Sequence, residues 1–170
     1  MDELILIQIY EELLSAYGPQ GWWPVTPEGG TEPVYSGGPE NRPHRFEVAV
    51  GAVLTQNTSW VNASRAIENL NRAGLMCPEA ISTAELSHLA ETIRPAGYYN
   101  QKAERLGRLA SYLAAKGRPS RDELLDLNGI GPETADSIML YAYGEPYFVI
   151  DAYTRRIFSR IGLIVGSEPY

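Results

Sequence analysis

At 170 residues the chain is long enough to bury a core and to form one domain or two small ones. It is 44% hydrophobic and 21% charged, the composition of a globular protein, and no apolar run approaches the roughly 20 residues of a bilayer-crossing helix. The formal charge of −7 counts against non-specific attraction to nucleic acid or acidic membranes, but not against a fold that grips phosphate with backbone N–H groups and helix N-termini.

The chain opens MDELILIQIY, with two acids where a secretory signal carries cations, so a cytoplasmic location is expected. Apolar spacing of three and four in ELILIQIYEELLSAYG predicts a helix with Leu6, Ile9, Tyr10, Leu13 and Leu14 on its inward face and Gly18 as its stop. Residues 18–43 are rich in Gly and Pro and read as an irregular loop, long enough to suggest a functional or mobile role. Its adjacent Trp22 and Trp23 are, by residue type alone, core or interface anchors. FEVAVGAVLTQ reads as a buried helix and SWVNASRAIENLNRAG as an amphipathic one, with QNTS as the break between them. Cys77 is the only cysteine and reads as a filler or helix-end residue; it excludes an intramolecular disulfide and an iron–sulfur cluster held by this chain. His44 and His88 are too few and too separated for a histidine-rich metal site. Three short helices are expected around 79–82, 83–88 and 89–93, then a turn at RPAGYYN. QKAERLGRLASYLAAKG is a long amphipathic helix with Leu106, Leu109 and Leu113 inward, and Ser120 with Glu123 has the spacing of a capping box. No strand pattern competes, so the expected class is all-α.

LNGIGPETAD, from Leu127, reads as a tight helical hairpin: Gly129 and Gly131 for backbone angles a side chain would forbid, Ile130 as a plug between helices, Pro132 at the first position of the next helix. The free amides of the turn would form an anion site. The following helix places Ala135, Ile138, Met139 and Ala142 inward and closes at Gly144. After the apolar run 147–150, Asp151 begins a helix whose inward face includes Ile157, Phe158 and Ile161. On local grounds Asp151 is an N-cap; it is equally what cleavage of a nucleoside bond would require.

Four stretches occur in order, GAVLTQNT from Gly51, RPAGYYNQKAERL from Arg94, LNGIGPETAD from Leu127 and VIDAYTRRIFSRIG from Val149. Together they resemble the helix-hairpin-helix (HhH-GPD) DNA glycosylase superfamily, that of endonuclease III, over roughly Phe46 to Leu163. The tryptophan pair ahead of FEVAVGAVLTQNT makes the chain most similar to the 3-methyladenine glycosylase branch without an iron–sulfur cluster. The resemblance implies a two-lobed helical fold, with residues 46–143 as the central bundle and 1–45 plus 144–170 as a second lobe. GSEPY is an unexpected finish for that lobe, which is therefore expected to be incomplete.

The resemblance also assigns roles. Asp151 would stabilise the cationic sugar and activate water. Trp22, Trp23, Phe46 and Glu133 would line the base pocket, and Gln56, supported by Asn57, would fill the gap left by the extruded base. Gly129, Ile130 and Gly131 would hold the DNA backbone, and Lys102 would touch phosphate or simply begin a solvated helix. Strand-cleaving members carry a lysine where this chain has Glu133, and a carboxylate cannot form an imine, so a monofunctional glycosylase is implied. The expected partner is double-stranded DNA with a damaged, alkylated base, acted on by a monomer in a prokaryotic cytoplasm, with no membrane association. No cofactor is required, although the family's hairpins often hold a monovalent cation. A bifunctional glycosylase for oxidised bases and a non-enzymatic hairpin DNA-binding module are the alternatives.

Overall fold

Helix α2 (Arg42–Leu54) is buried at every residue from Phe46 to Leu54, and a helix without a polar face must be covered on all sides. The computed structural model describes residues 3–165. Asn41 starts α2 by accepting the His44 N–H at 2.9 Å, and Pro43 sits in the first turn, where no intrahelical donor is needed. The cover comes from α3 (Trp60–Arg72), from α6 (Tyr99–Lys116), and from α8 (Pro132–Ser137), which runs on into a π-helical turn over Ile138–Ala142. Leu106, Leu109 and Leu113 of α6 are buried as the spacing predicts, as are Ala135, Ile138, Met139 and Ala142.

Two short helices, α4 (Pro78–Thr83) and α5 (Leu86–Thr92), pack on α6 where three were expected. Ala84 and Glu85 are both extended and interrupt the middle one, and the Glu85 carboxylate then caps α5 by accepting the His88 N–H at 2.9 Å. A 3-10 turn over Arg94–Ala96 leads into α6. α7 (Arg121–Leu125) starts on a complete Ser120/Glu123 capping box. The all-α expectation holds; among the described residues β-pairing is limited to one isolated antiparallel bridge, Val25 to Val34.

That bridge lies in the Gly/Pro segment, an irregular loop as the composition suggests but one anchored to the core. Trp23 and Val25 are buried. The carboxylate of buried Glu47 on α2 accepts both the Thr26 N–H (2.8 Å) and the Thr26 hydroxyl (2.9 Å). Asn71 of α3 donates to Thr26 Oγ1 (3.0 Å) and to the Thr31 carbonyl (3.1 Å). Proline and glycine mark the absence of regular structure, not the absence of tertiary anchors.

The outer helices correct a second expectation. α1 (Glu3–Tyr17) has none of residues 4–17 buried, and α9 (Ala152–Arg160) has none either. Leu13 is 52% exposed, Ile157 47% and Ile161 50%, although periodicity placed all three inward. Amphipathic spacing identifies an apolar face but not its partner: Leu6, Ile9 and Phe158 are half-buried, the last beside the Phe148 ring, and no residue of either face among those described is fully buried. None of the described helices is long and apolar enough to cross a membrane.

Burial raises the pKa of Glu47, only partly offset by the Thr26 hydrogen bonds and by His44. A folded-state pKa above the unfolded value means that this group contributes stability fully below about 4.5 and loses it as pH rises through the raised value. Glu47→Gln, which keeps the acceptor for Thr26, is therefore expected to flatten the stability difference between pH 5 and pH 8, read from urea midpoints. Glu47→Ala orphans the buried Thr26 N–H and should cost about 1–3 kcal/mol at either pH.

Candidate active site

A cleft of about 600 Å3 opens between the Gly/Pro segment, the loop after α2, α8 and the start of α9. Trp22, Trp23, Trp60, Tyr141 and Tyr153 line it, together with Glu133 and Asp151. The tryptophans form a continuous wall: ring centroids are 4.9 Å apart for Trp22–Trp23, 5.1 Å for Trp22–Trp60 and 5.7 Å for Trp23–Trp60, and Tyr141 lies 5.5 Å from Trp23. Gly51 on α2 makes this wall fit. A Cβ there would lie 3.0 Å from the Trp23 indole, so the ring sits flush against helix backbone. The Trp23 Nε1 is buried there without a hydrogen-bond partner among the described residues.

Trp60, Tyr141 and Tyr153 were not singled out from sequence, although signals existed. Glu133, Ser137 and Tyr141 recur every four residues on one helix face, and Trp60 directly follows the QNTS break. Phe46, expected in the base pocket, does not line this cleft. It is 4% exposed and borders a separate depression with Arg42, Arg45 and Tyr143. Its place on α2 directs the ring away from the side that carries Gly51.

Asp151 is both an N-cap and a cleft residue. Its Oδ1 accepts the Thr154 N–H at 2.7 Å and the Thr154 hydroxyl at 2.9 Å, while no hydrogen bond among the described residues engages Oδ2. The cap fixes the carboxylate at the mouth of α9 and leaves one oxygen for other work. Glu133, in the first turn of α8, has its pKa raised by burial first and by the negative charge of Asp151 second, with Arg155 opposing both. Burial and Asp151 likewise raise the Tyr141 pKa. The cleft thus joins electron-rich rings to two neighbouring carboxylates.

Beside it, the hairpin and the loop after α2 are locked together. Gly129 has φ +93°, and a Cβ there would come within 2.5 Å of the Arg105 side chain. Gly131 differs from expectation: its φ is −93°, open to any residue, and nothing lies within 4 Å of a Cβ placed there. Ile130 is buried as the plug. Gln56, expected to project as a wedge, instead donates from Nε2 to the Gly129 carbonyl (3.2 Å) and to Thr134 Oγ1 (2.9 Å), while its Oε1 accepts from Arg105. The exposed residue at the tip is Asn57, with φ +52°. Arg121 of α7 clasps both oxygens of buried Asp136 on α8, closing the hairpin from the other end. Lys102, expected at phosphate or in solvent, is 1% exposed, with Nζ donating to the Leu54 carbonyl (2.9 Å) and the Ala96 carbonyl (2.7 Å).

The carbonyls of Leu127, Asn128 and Gly129 accept from the Ile130 N–H, the Arg108 guanidinium and the Gln56 amide.

An all-helical chain with a glycine hairpin beside a carboxylate-bearing aromatic cleft has the architecture of a base-excising DNA repair enzyme. Residues 50–170 match the family described as HhH-GPD superfamily base excision DNA repair protein, and the chain belongs to it. A Methanocaldococcus jannaschii protein, named provisionally as a DNA repair glycosylase, is 42% identical over 98% of this chain and 74% of its own length. Endonuclease III of Thermotoga maritima is 31% identical over 73% of this chain, which spans 60% of that relative. The solved structure of the H. pylori 3-methyladenine DNA glycosylase bound to 1,N6-ethenoadenine matches with TM-score 0.72 and 31% identity, over 94% of this chain and 73% of that one. An endonuclease III trapped in a covalent intermediate with DNA shares the fold at TM-score 0.77 and 21% identity, over 99% of this chain and 73% of its own. Its relatives make this chain a member of a DNA glycosylase family.

The two hairpin glycines should separate in a stability measurement. Gly129→Ala forces a side chain into left-handed backbone and against Arg105, costing about 1–2 kcal/mol from the backbone alone. Gly131→Ala should leave the thermal midpoint unchanged, and an equal loss in both would show that Gly131 is constrained by the fold after all.

Proposed function

We propose that this chain hydrolyses the N-glycosidic bond of alkylated, 3-methyladenine-type bases in duplex DNA, as a monofunctional enzyme. The observation that carries the reading is the cleft's chemistry: three indoles and two tyrosines stand around a pair of carboxylates. An N3-alkylated adenine is a cation, so ring faces and carboxylates both attract it more strongly than an unmodified base. Stacking on aromatic walls of this kind is worth about 1–3 kcal/mol per base, and extrusion from the helix costs a few kcal/mol, less for a damaged base. The substrate named for the H. pylori structure points the same way.

A cationic base is already activated as a leaving group. When the bond from C1′ to the base nitrogen breaks, its electron pair leaves with the base, which becomes neutral, and positive charge develops on the sugar. Asp151, held through Oδ1 by the N-cap, stabilises that charge with its other oxygen. The same oxygen takes the proton of the water that attacks C1′. Gly131, with open space in front of its Cα, and the amides of the hairpin then grip the flanking phosphate.

A lyase step would need an amine nucleophile. The sequence has two lysines: Lys102 is buried on two backbone carbonyls, and Lys116 lies at the end of α6 beside the other depression. Neither lines the cleft.

Asparagine caps a helix as well as aspartate does, so Asp151→Asn should fold normally and bind lesion-bearing duplex within about threefold of the parent. Release of 3-methyladenine from methylated DNA should fall by about 100-fold or more. Undiminished release would reduce Asp151 to a cap. A covalent adduct trapped by borohydride would replace hydrolysis with lyase chemistry.

A further inference from the structure

The depression that Phe46 borders has a volume of about 480 Å3 and lies at the other end of the helical core from the cleft. α2 is 13 residues long, so about 18 Å separates Arg42, in the depression, from Leu54, whose end leads into the loop that lines the cleft. α6 runs opposite to α2. Lys102 near its start meets the Leu54 carbonyl, and Lys116, its last residue, lies in the depression with Arg42. The helix that begins as α8 also joins the two ends, with Thr134 and Ser137 in the cleft and Tyr143, just past the π-helical turn, in the depression.

Charge is distributed there against the trend of the chain. The sequence has 14 basic and 21 acidic side chains, yet Arg42, Arg45, Lys116 and Arg118 line the depression and no carboxylate does. Two of the four have partners: Arg42 donates to Glu79 at 3.2 Å, and Arg118 pairs with Glu145 while its guanidinium lies 5.4 Å from the centre of the Tyr143 ring. No hydrogen bond or salt bridge among the described residues engages the Arg45 guanidinium or the Lys116 ammonium, although Lys116 feels the charge of Glu123. The helix dipole accounts for Lys116, in the last turn of α6. It does not account for Arg42 and Arg45, which stand at the start of α2, where the dipole is already positive and the first turn holds no acid. Burial raises the Tyr143 pKa and Arg45, Arg118 and Arg42 oppose it, so three guanidiniums act on one phenol. All four cations are exposed, so packing does not require their gathering, and their mutual repulsion is relieved by an anion seated among them.

We propose that this depression binds a small phosphate-bearing molecule, with the phosphate held by Arg42, Arg45 and Arg118, Lys116 beside it, and the rest of the ligand against Tyr143. Three of the four cations are arginines, whose planar forks meet phosphate oxygens in pairs. The volume suits a small ligand, since such sites run to about 300–1,000 Å3. Its place at the far end of α2 separates it from the hairpin and the cleft, so the ligand is a free phosphate ester and not the backbone of a duplex held there. The site does not depend on the function proposed above.

Pyrophosphate is the probe, titrated calorimetrically into the full chain at constant ionic strength. The parent should bind it with a Kd at or below about 1 mM. Arg45→Gln combined with Lys116→Gln removes the two cations that hold nothing else in place, and should weaken binding by at least about tenfold. Arg65→Gln combined with Arg72→Gln removes the same charge from exposed positions on α3, and should leave the affinity within about twofold because distant charges are screened. Without pyrophosphate, the Arg45 and Lys116 double variant should melt no lower than the parent, since the repulsion has been relieved. A parent Kd above about 1 mM would overturn the proposal. So would a lining variant that binds like the parent, which would mark an anion held elsewhere, or equal weakening in both double variants, which would mark a general charge effect. Duplex DNA in excess should not displace pyrophosphate; displacement would make the depression a contact for DNA backbone and overturn the small-ligand site.

Discussion

The constraint on which the rest depends is the complete burial of the second half of α2. Because that helix has no face to offer water, α3, α6, α8 and the Gly/Pro segment must all reach it. Their meeting places are the features of the site. Gly51 receives the Trp23 indole, Glu47 holds Thr26 and with it the tryptophan segment, and the C-terminal carbonyl of Leu54 meets Lys102. The loop that leaves α2 then delivers Gln56 to the hairpin. Core formation and site formation are one packing event here.

The electrostatics have a similar economy. The chain carries a net charge of −7, and several arginines near the hairpin are engaged within the protein. Arg105 holds Gln56, Arg108 reaches Glu104 and the Asn128 carbonyl, and Arg121 clasps Asp136. What the hairpin offers outward is backbone, at Gly131 and the first turn of α8, where peptide dipoles rather than side-chain cations favour an anion. The cleft is of opposite character, with Glu133 and Asp151 close enough for one to raise the other's pKa. Under the proposed function a duplex lesion would bring a polyanionic backbone and an electron-poor base to these two neighbouring surfaces.

The tertiary hydrogen bonds of the Gly/Pro segment show why loops resist reading. Its anchors are Glu47 and Asn71, which lie 21 and 45 residues from Thr26 along the chain. Neither position stands out in its own helix. A carboxylate within an apolar run looks like a flaw in the pattern until the backbone N–H it serves is known. Gln56 is the same case in reverse: as a polar residue after a helix it reads as something that projects, and only the nearby Gly129 carbonyl and Thr134 hydroxyl turn it inward.

By itself the sequence determined what depends on near neighbours: the longer helices, the Ser120 capping box, the left-handed glycine at 129, the buried plug at Ile130, and Asp151 at a helix start. These follow from spacing and capping, whose energetics act within a turn or two. Only the tertiary structure decided which faces found partners. It buried Lys102 and Phe46, brought Trp60 and Tyr141 into the cleft beside Trp22 and Trp23, left the apolar faces of α1 and α9 exposed, and made Gly131 a matter of open space and not of backbone angle. Periodicity reports that a face is apolar or a residue polar; what that face or residue meets is set by contacts between segments distant in the chain, and no local pattern encodes them.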